Sequence, residues 1–298
     1  MNQYEKLQKF ISANSKITLR EVTEHLECSE QYARQLVRKA MDANVLRTAG
    51  KGVWKSMSTE AAKDTILLPV KERFDYIEDL VHMVAKKVQP SILLTGTSGV
   101  GKSFLVQKTL AAAGLEKDTD YMVCKGHSSP LGLYQMLHDH RDQMLVFDDC
   151  DSVFHDDISA NLMKAALDSY DKRYVSWHSA KVEQLELDTC FEFTGQIIFV
   201  SNMQANKIDA AIRGRSFCYN IYLSPNEVHE YMGALLPDIL PTVDLKLKRE
   251  VWEYLGKFKN EWDNFNLRIL QQAIRVRIGI REGRDWKTMI QLLAQGNG

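Results

Sequence analysis

One glycine-rich segment, GTSGVGKS from Gly96 to Ser103, constrains the fold of this chain more than any other segment. It lies directly between an apolar run, Ile92–Thr95, and a helical pattern, FLVQKTLAAAG. Glycines in such a loop let successive backbone N–H groups turn towards one anion, and the following helix adds the positive end of its dipole. The segment therefore predicts a strand, a phosphate-binding loop and a helix in that order, as found in parallel α/β sheets.

The loop has the residue types that bind a nucleoside triphosphate together with Mg²⁺. We expect the Lys102 side chain to reach the β- and γ-phosphates and the Ser103 hydroxyl to ligate Mg²⁺. These features predict ATP and Mg²⁺ as cofactors. The alternative is a glycine-rich turn without a ligand, and the flanking strand and helix argue against it. The residues expected to contact the nucleotide are Gly96, Thr97, Ser98, Gly99, Val100, Gly101, Lys102, Ser103 and Phe104.

Five short apolar runs between residues 70 and 224 predict the strands of one sheet. Helical patterns separate the runs, which is the alternation typical of βαβ units. The third and fourth runs are continuously apolar, as in strands that are buried on both faces. The sequence therefore predicts an α/β fold with a five-stranded parallel sheet. The predicted strands are Ile92–Thr95, Tyr121–Cys124, Met144–Phe147, Ile197–Val200 and Phe217–Leu223.

A pair of carboxylates follows the third predicted strand, in MLVFDDCD. Asp148 and Asp149 come directly after four apolar residues, at the carboxyl edge of the sheet, where ligands bind in open α/β sheets. We expect Asp148 to hold Mg²⁺, Asp149 to activate a water molecule, and Asp151 to support the pair. Acidic residues in an ordinary surface turn would not explain the apolar run before them.

Polar residues later in the chain complete the predicted site. Asn202 follows the fourth strand, in IIFVSN, and we expect it to orient the attacking water at the same sheet edge. In DAAIRGRSF, Arg213 and Arg215 compete for the role of an arginine finger aimed at a neighbouring subunit's nucleotide. The alternative for these two is a solvated basic turn. Arg268 stands near the start of a later helix, from which it can fold back onto the γ-phosphate.

Taken together and in this order, the motifs resemble the AAA+ ATPase family over roughly residues 70–298. The resemblance implies a P-loop NTPase αβα sandwich with a C-terminal helical lid. It also implies ATP at subunit interfaces and self-association into a ring or arc, with a hexamer expected. SPLGLY, FDDCDSVF, AALDS and FEFTGQIIFVSN resemble a group of phage-encoded AAA+ ATPases. One departure is Asp149, since the family usually has Glu there, and the shorter side chain changes where the water sits.

Two alternating segments, YVSW and FEF, predict a β-hairpin between the Asp148 motif and Asn202. The hairpin resembles the pre-sensor-1 hairpin of AAA+ helicases and branch-migration motors, which points into the channel of the ring. Arg173 and Trp177 then supply charge and an aromatic face to a nucleic-acid strand. The alternative is a hairpin packed against its own domain, with its aromatic side chains in the core.

Residues 1–56 have the rhythm of a helix-turn-helix followed by a small β-wing. Thr18 and Glu21 form a capping box at the start of one helix, with Val22 and Leu26 on its apolar face. Ser29 can cap the next helix. The segment resembles a winged helix-turn-helix domain. The predicted inner face of the second helix consists of Ala33, Leu36, Val37 and Ala40.

The outer face of that second helix predicts DNA binding. It carries residue types that read grooves and bind phosphates, and two wing lysines can contact the backbone. Residues 1–56 contain ten Lys and Arg residues against six Asp and Glu residues, a modest basic excess. Winged helices also bind proteins, so a partner protein is the alternative. The predicted DNA-binding residues are Gln31, Tyr32, Arg34, Gln35, Arg38, Lys51 and Lys55.

The pattern divides the chain into a winged helix-turn-helix domain (1–56), a linker (57–69), a nucleotide-binding core (70–224) and a helical lid (225–298). The lid opens with a capping box, SPNE, that has Pro at the first helical position. A formal net charge of −1 means that any DNA surface must come from local clusters. The polar N-terminus and the lack of a long apolar run predict neither a secretory signal nor a membrane partner. The five scattered cysteines predict a cytoplasmic protein, in a bacterial host cell if the chain is phage-encoded.

These features predict a DNA-binding AAA+ ATPase that hydrolyses ATP at subunit interfaces. It would assemble on, remodel or translocate DNA in replication or recombination. Two other functions fit the same motifs. One is an ATP-switched helicase loader or adaptor whose winged helix binds a partner such as a replicative helicase. The other is an ATP-controlled transcription regulator.

Overall fold

The computed structural model of the protein describes residues 3–14, 16–42, 45–50, 52–56, 68–262 and 265–295. Contacts divide the chain into two compact units, Met1–Leu68 and Pro69–Gly298. Each unit contains hydrophobic core residues of its own. Most of the predicted linker, namely 57–67, lies outside the described residues, and so does the predicted wing residue Lys51.

Helices and short strands alternate in the described residues of the first unit. In chain order they are α1 (Gln3–Ala13), β1 (Lys16–Thr18), α2 (Leu19–Leu26), α3 (Glu30–Asp42), β2 (Leu46–Gly50) and β3 (Val53–Ser56). The strands form an antiparallel sheet with β3 in the middle, between β1 and β2. The sequence does not predict β1, because three residues are too few to show an alternating pattern.

The packing of α2 and α3 follows the spacing of their apolar residues. α2 begins at the capping box, in which Thr18 Oγ1 accepts from the Glu21 N–H and the Glu21 carboxylate accepts from the Thr18 N–H. α2 buries Val22 and Leu26, as its sequence predicts. Apolar residues recur every three or four positions on α3, so they line one face of the helix. That predicted inner face is buried and consists of Ala33, Leu36, Val37 and Ala40.

The second unit is built on a five-stranded sheet in which all neighbouring strands are parallel. The strands are β4 (Ser91–Gly96), β5 (Tyr121–Lys125), β6 (Met144–Asp148), β9 (Gln196–Val200) and β10 (Phe217–Ile221). Their order across the sheet is β10-β4-β9-β6-β5. Each strand overlaps one of the predicted runs, so the prediction of an α/β fold with a five-stranded parallel sheet is confirmed.

Side-chain alternation along the strands separates two hydrophobic cores on opposite faces of the sheet. On β4, Ile92 and Leu94 belong to one core and Leu93 belongs to the other. The first core includes residues of helices α4 (Val70–Ala85) and α5 (Lys102–Ala112). The second includes residues of α6 (Pro130–Asp139) and α7 (Asp157–Ala166). Helices therefore cover both faces of the sheet, which makes the unit an αβα sandwich.

After residue 224 the described part of the second unit contains helices and turns. The helices are α10 (Pro225–Ala234), α11 (Leu245–Leu255), α12 (Leu267–Gly279) and α13 (Trp286–Gln295). α10 starts at the predicted capping box, where Ser224 Oγ accepts from the Glu227 N–H. Glu227 also pairs with Arg73 of α4, which ties this segment to the first core. Among the described residues, no helix combines the length and the apolar character that a membrane crossing requires.

A close backbone approach next to β9 provides a test of this packing. A Cβ atom on Gly195 would lie 2.1 Å from the backbone oxygen of Gln143, the residue before β6. Because backbone atoms on both sides would have to shift, we expect Gly195→Ala to lower the free energy of unfolding by about 1–3 kcal/mol in urea denaturation. The control is Gly279→Ala, where the added methyl meets no atom within 4 Å. Equal stability of the two variants would contradict the close approach.

Candidate functional site

The glycine-rich loop connects the end of β4 to the start of α5 at the carboxyl edge of the sheet. Gly96 has φ 119°, and a Cβ atom there would lie 2.0 Å from the backbone oxygen of Ile221 on β10. Gly99 has φ 74°, and a Cβ atom there would lie 2.8 Å from Cγ of Asn266, which precedes α12. Larger residues would clash at both positions, so glycine lets the loop approach β10 and α12 at the same time.

Lys102, the first residue of α5, turns its side chain back beneath the loop. It is 5% exposed, and Nζ donates to the backbone oxygens of Gly96 (2.9 Å) and Thr97 (2.8 Å) and to Oδ1 of Asn202 (2.9 Å). Burial lowers the pKa of Lys102 to about 8, although the nearby carboxylates, chiefly Asp149, act in the opposite direction. The ammonium group therefore lies among oxygen acceptors at the place where the sequence predicts phosphates.

The structure brings Ser103 and Asp148 together. Ser103 Oγ donates to Oδ1 of Asp148 at 2.6 Å, and Asp148 is buried. The other carboxylate oxygen of Asp148 lies 2.8 Å from Nζ of Lys125, the last residue of β5. Sequence reasoning missed Lys125. The parallel register places Lys125 opposite Asp148, and a correct alignment of the two strand sequences would have found it.

Asn202 joins Lys102 to Asp149. Asn202 Nδ2 donates to Oδ1 of Asp149 at 2.7 Å, and Asn202 Oδ1 accepts from Lys102. Asp149 follows β6 with φ 54°, a left-handed conformation that Asp adopts more readily than most residues. Its backbone N–H donates to the oxygen of Val200 on β9 at 3.0 Å. The three side chains thus form a continuous hydrogen-bonded chain across the sheet edge.

Asp151 lies beside this chain and is not hydrogen-bonded into it. Its Oδ1 accepts from Ser201 Oγ at 2.6 Å, and Ser201 Oγ in turn accepts from the backbone N–H of Met203. The carboxylate of Asp151 also raises the pKa of Lys102, after the larger effects of the other two carboxylates. Asp151 therefore contributes charge to the site and fixes the segment that carries Asn202.

A cavity of about 250 Å³ opens between the glycine-rich loop and the C-terminal helices. Arg268 and Gln271 line it from α12. Six of the predicted nucleotide contacts line it from the loop, namely Ser98, Gly99, Gly101, Lys102, Ser103 and Phe104. Asp149 and Asn202 reach it from the sheet edge. Sequence reasoning missed the residues that line it from the segment after α10, which are Leu235, Asp238, Ile239 and Leu240.

Three predicted loop contacts do not line the cavity. The backbone oxygens of Gly96 and Thr97 hold the Lys102 side chain instead. Val100 is buried in the first hydrophobic core and anchors the loop there. These residues shape the loop from behind, and their motif positions alone could not distinguish that role from a ligand contact.

The C-terminal helices touch the glycine-rich loop directly. The backbone N–H of Leu267, the first residue of α12, donates to the oxygen of Gly99 at 2.9 Å. The Asn266 side chain caps the same helix by accepting from the N–H groups of Arg268 and Ile269. The start of α12, and with it Arg268, is therefore held against the loop by a backbone hydrogen bond.

Arg213 and Arg215 do not line this cavity. They lie around the end of α9 (Ala210–Gly214), just before β10. Arg213 Nε donates to the backbone oxygen of Ile208 at 3.1 Å, and Arg215 Nη1 donates to that of Ala211 at 3.1 Å. Neither arginine reaches the cavity of its own copy, so a role at a neighbouring copy stays a prediction.

The predicted hairpin consists of antiparallel strands β7 (Tyr174–Ser176) and β8 (Cys190–Glu192), with α8 (Ala180–Gln184) between them. Arg173 donates through Nη1 to the backbone oxygen of Ala166 at 2.8 Å and through Nη2 to that of Gly195 at 2.6 Å. This guanidinium is half-buried and serves its own domain. The role of Arg173 in DNA binding stays a prediction.

Trp177 also packs against its own domain. Its ring centroid lies 5.6 Å from that of Tyr134, in an edge-to-face arrangement at the second core. Part of the indole is therefore buried against α6 and the side chain is half-buried, and its role in DNA binding stays a prediction. The hairpin residues of DNA-binding type that are exposed are Lys172, Tyr174, His178 and Lys181.

The outer face of α3 is exposed in the first unit. All five predicted DNA-binding residues on this helix are exposed, namely Gln31, Tyr32, Arg34, Gln35 and Arg38. Arg34 also forms an ion pair with Glu30 one turn earlier. Lys55 lies on β3, and its side chain is outside the described part of the structure. The described residues thus leave the predicted reading face uncovered within its own unit.

The residues present fit a Mg²⁺ ion that is bound together with phosphates. Ser103 and Asp148 provide hydroxyl and carboxylate oxygens, the hard ligands that Mg²⁺ prefers. Mg²⁺ commonly takes few protein ligands and completes its shell with water and phosphate oxygens. The described residues contain no group of three or more His, Cys, Asp or Glu side chains that could hold a metal ion.

The chain is similar to an uncharacterised 36.7 kDa protein from the nrdC–mobD intergenic region of Enterobacteria phage T4. The two sequences are 30% identical over 142 residues, which is 46% of this chain and 43% of the phage protein. The chain thus matches less than half the length of this relative. No family model matches the chain.

Among solved structures, the chain is similar to two point mutants of RuvB from Thermotoga maritima. One has a TM-score of 0.50 at 12% identity, over 78% of this chain and 71% of the RuvB chain. The other has a TM-score of 0.47 at 15% identity, over 76% and 68% of the two chains. At such low identity, the likeness with a TM-score of 0.50 concerns the fold alone. It agrees with the α/β fold that the AAA+ resemblance implies.

The buried ammonium group of Lys102 makes the stability of the protein depend on pH. Its pKa of about 8 in the fold lies below the ordinary 10.5, so between these values the unfolded chain binds more protons than the folded one. Stability therefore rises with pH in this window. We expect the free energy of unfolding of the wild type to rise relative to that of Lys102→Met as the pH passes about 8, measured by urea denaturation. Parallel pH profiles of the two proteins would contradict the burial of the charge.

Proposed function

We propose that this protein is an ATP hydrolase that uses Mg²⁺. The observation that carries the proposal is the hydrogen-bonded chain from Lys102 through Asn202 to Asp149, in one cavity with Ser103 and Arg268. Triphosphate hydrolysis requires a cation for the phosphates and a carboxylate for the attacking water, which Lys102 and Asp149 supply. The amide of Asn202 links these two groups. The RuvB-like fold supports the same class of activity.

Phosphate binding would use the glycine-rich loop and the cationic side chains of Lys102 and Arg268. The N–H groups of the loop and the start of α5 favour an anion by their direction and by the helix dipole. Lys102 would exchange contacts with loop carbonyls for contacts with the β- and γ-phosphates. A negative ligand beside the ammonium group also compensates for its burial. Arg268 would approach the γ-phosphate from α12.

Ser103 and Asp148 would hold the Mg²⁺ ion. When bound, the ion neutralises charge on the β- and γ-phosphates. Lys125 contacts the second oxygen of Asp148 and keeps this buried carboxylate paired with a cation. The hydroxyl of Ser103 and the carboxylate of Asp148 are already oriented towards each other by their 2.6 Å hydrogen bond.

Asp149 would act as the general base. Its carboxylate would accept a proton from the attacking water while the water oxygen bonds to the γ-phosphorus. The bond from phosphorus to the β–γ bridging oxygen breaks, and ADP and phosphate are released. Asn202 orients the carboxylate through its 2.7 Å hydrogen bond. Asp is shorter than Glu, and this bond from Asn202 fixes where the shorter side chain lies.

Self-association would complete the site. Arg213 and Arg215 lie outside the cavity of their own copy, which supports a role in the cavity of a neighbouring copy, as an arginine finger requires. We therefore propose a ring or arc, with a hexamer as the expected form. Either guanidinium would first have to leave the backbone oxygen that it now contacts.

The first unit would bind DNA as a winged helix-turn-helix. Its order of helices and strands, with β2 and β3 paired as a wing, supports this assignment. The exposed outer face of α3 would enter a groove, and the Arg34 and Arg38 side chains would contact bases or phosphates. ATP turnover at subunit interfaces would then drive assembly on, remodelling of, or translocation along DNA in replication or recombination.

The likeness to a phage T4 protein supports action in the cytoplasm of a bacterial host cell. On the proposed function, single- or double-stranded DNA stimulates ATP turnover. Turnover that ignores every form of DNA, together with capture of a replicative helicase, would favour a loader or adaptor instead. A single tight operator footprint without movement along DNA would favour a transcription regulator.

Replacement of Lys102 tests the enzymatic part of the proposal. Lys102→Ala is expected to lower ATP turnover about a hundredfold or more, because the γ-phosphate loses its adjacent cation. The measurement is phosphate release with and without DNA. The matched control is Lys246→Ala, an exposed lysine on α11, which is expected to turn over ATP at the wild-type rate. Full activity of Lys102→Ala would show that ATP is hydrolysed elsewhere or not by this protein.

Replacement of Arg38 tests the DNA-binding part. Arg38→Ala is expected to weaken DNA binding and to reduce the slope of log affinity against log salt by roughly 0.9, the contribution of one phosphate contact. Fluorescence anisotropy over a series of salt concentrations measures both effects. Arg20→Ala is the matched control, because Arg20 is also exposed but lies on α2 and pairs with Glu24. If both variants bind like the wild type, α3 is not the DNA-binding face.

A further inference from the structure

Lys248 is a buried lysine to which the proposed reaction gives no role. It lies on α11 and is 2% exposed. Its Nζ donates to the backbone oxygens of Ile239 at 3.0 Å and Leu240 at 3.5 Å. Within the described residues both of its hydrogen-bond partners are carbonyls, so no carboxylate neutralises it directly. Burial of a cation is destabilising unless its hydrogen bonds offset the loss of water. The hydrogen bonds from Lys248 to the two carbonyls must therefore offset that loss.

The segment that Lys248 contacts has an unusual backbone. After α10, one further turn is closed by the Ile239 N–H, which donates to Leu235 at 3.0 Å. The segment then reaches Leu240, whose φ of 47° is left-handed and costs a branched side chain on the order of 1–2 kcal/mol. Carbonyls at the end of helical turns lack intrahelical donors. Lys248 supplies a donor to the Ile239 carbonyl, whereas the Leu240 carbonyl also accepts from the Val243 N–H at 2.9 Å. Lys248 therefore stabilises a strained conformation by hydrogen bonds.

The same segment forms an apolar wall of the cavity. Leu235, Ile239 and Leu240 line the cavity together with the polar residues of the glycine-rich loop. Apolar side chains can cover the face of a nucleobase, whereas phosphates require cations and N–H groups. We therefore expect the position of this wall to affect how tightly the base of a nucleotide binds and to leave the contacts of its phosphates unchanged.

We propose that Lys248 is a positioning residue that sets the affinity of the cavity for the nucleotide base. It holds the backbone of Ile239 and Leu240 and thereby keeps the apolar wall at a fixed distance from the glycine-rich loop. This inference rests on the proposed ATP-binding function and adds the element that recognises the base. Without the ammonium group, Leu240 would relax towards negative φ and carry its side chain away from the cavity.

The test compares a ligand that has a base with one that has none. Lys248→Met keeps an unbranched apolar stem, one atom shorter than lysine, and removes the donors. Calorimetric titration is done with ATP and with inorganic tripolyphosphate, both with Mg²⁺. We expect Lys248→Met to weaken ATP binding roughly tenfold and tripolyphosphate binding less than about twofold, because only the base meets the wall. Lys248→Arg keeps a cationic donor and is expected to restore most of the affinity for ATP.

Two further variants make the outcomes distinct. Lys246→Met places the same substitution on the exposed face of α11 and is expected to bind both ligands like the wild type. If Lys248→Met does not fold, Lys248→Leu, which also lacks a donor, replaces it in the comparison. Equal loss of both ligands, or no loss of either, would overturn the proposal. If Lys102→Ala binds both ligands as the wild type does, the proposed ATP site itself fails, whatever Lys248 does.

Discussion

The burial of one ammonium group determines much of the arrangement in the second unit. Lys102 is 5% exposed, and an unpaired cation at such a depth would be destabilising on the order of several kcal/mol. Three oxygen acceptors offset this cost, two from the glycine-rich loop and one from Asn202. They can meet at one point because β4 and β9 are parallel neighbours, so the segments that leave their carboxyl ends start side by side. Asn202 then carries the same network to Asp149.

The elements that local patterns encode could be predicted from the sequence. β4, β6 and β9 are apolar runs buried along their full length or nearly so, and α3 buries the face that its spacing indicates. Both capping boxes are present because four consecutive residues and two reciprocal hydrogen bonds define each of them. β1 could not be predicted, because its conformation comes from pairing with β3 and not from its own three residues. The order of strands in the sheet also depends on contacts distant in sequence.

The residues of the candidate site also divide into those that sequence position predicts and those that depend on distant contacts. Ser103 lies in the first turn of a helix and Asp148 lies at the end of a strand. The sequence positions of such residues alone therefore indicate where they meet. Lys125 depends on the register between β5 and β6, and the apolar wall depends on how the C-terminal helices pack. The charge of Arg173 predicts an external ligand, whereas in the structure the guanidinium contacts two backbone oxygens and the Phe193 ring, and no side-chain pattern reveals those contacts. Its role in DNA binding stays a prediction.

The hydrogen bond from the Leu267 N–H to the Gly99 oxygen has a mechanical consequence. α12 cannot pivot about its first turn without breaking this bond or drawing Gly99 along with it. The curvature of the loop and the tilt of the helix are therefore coupled. A load applied to the far end of the helix would be transmitted, through one amide and one carbonyl, to the loop that borders the cavity.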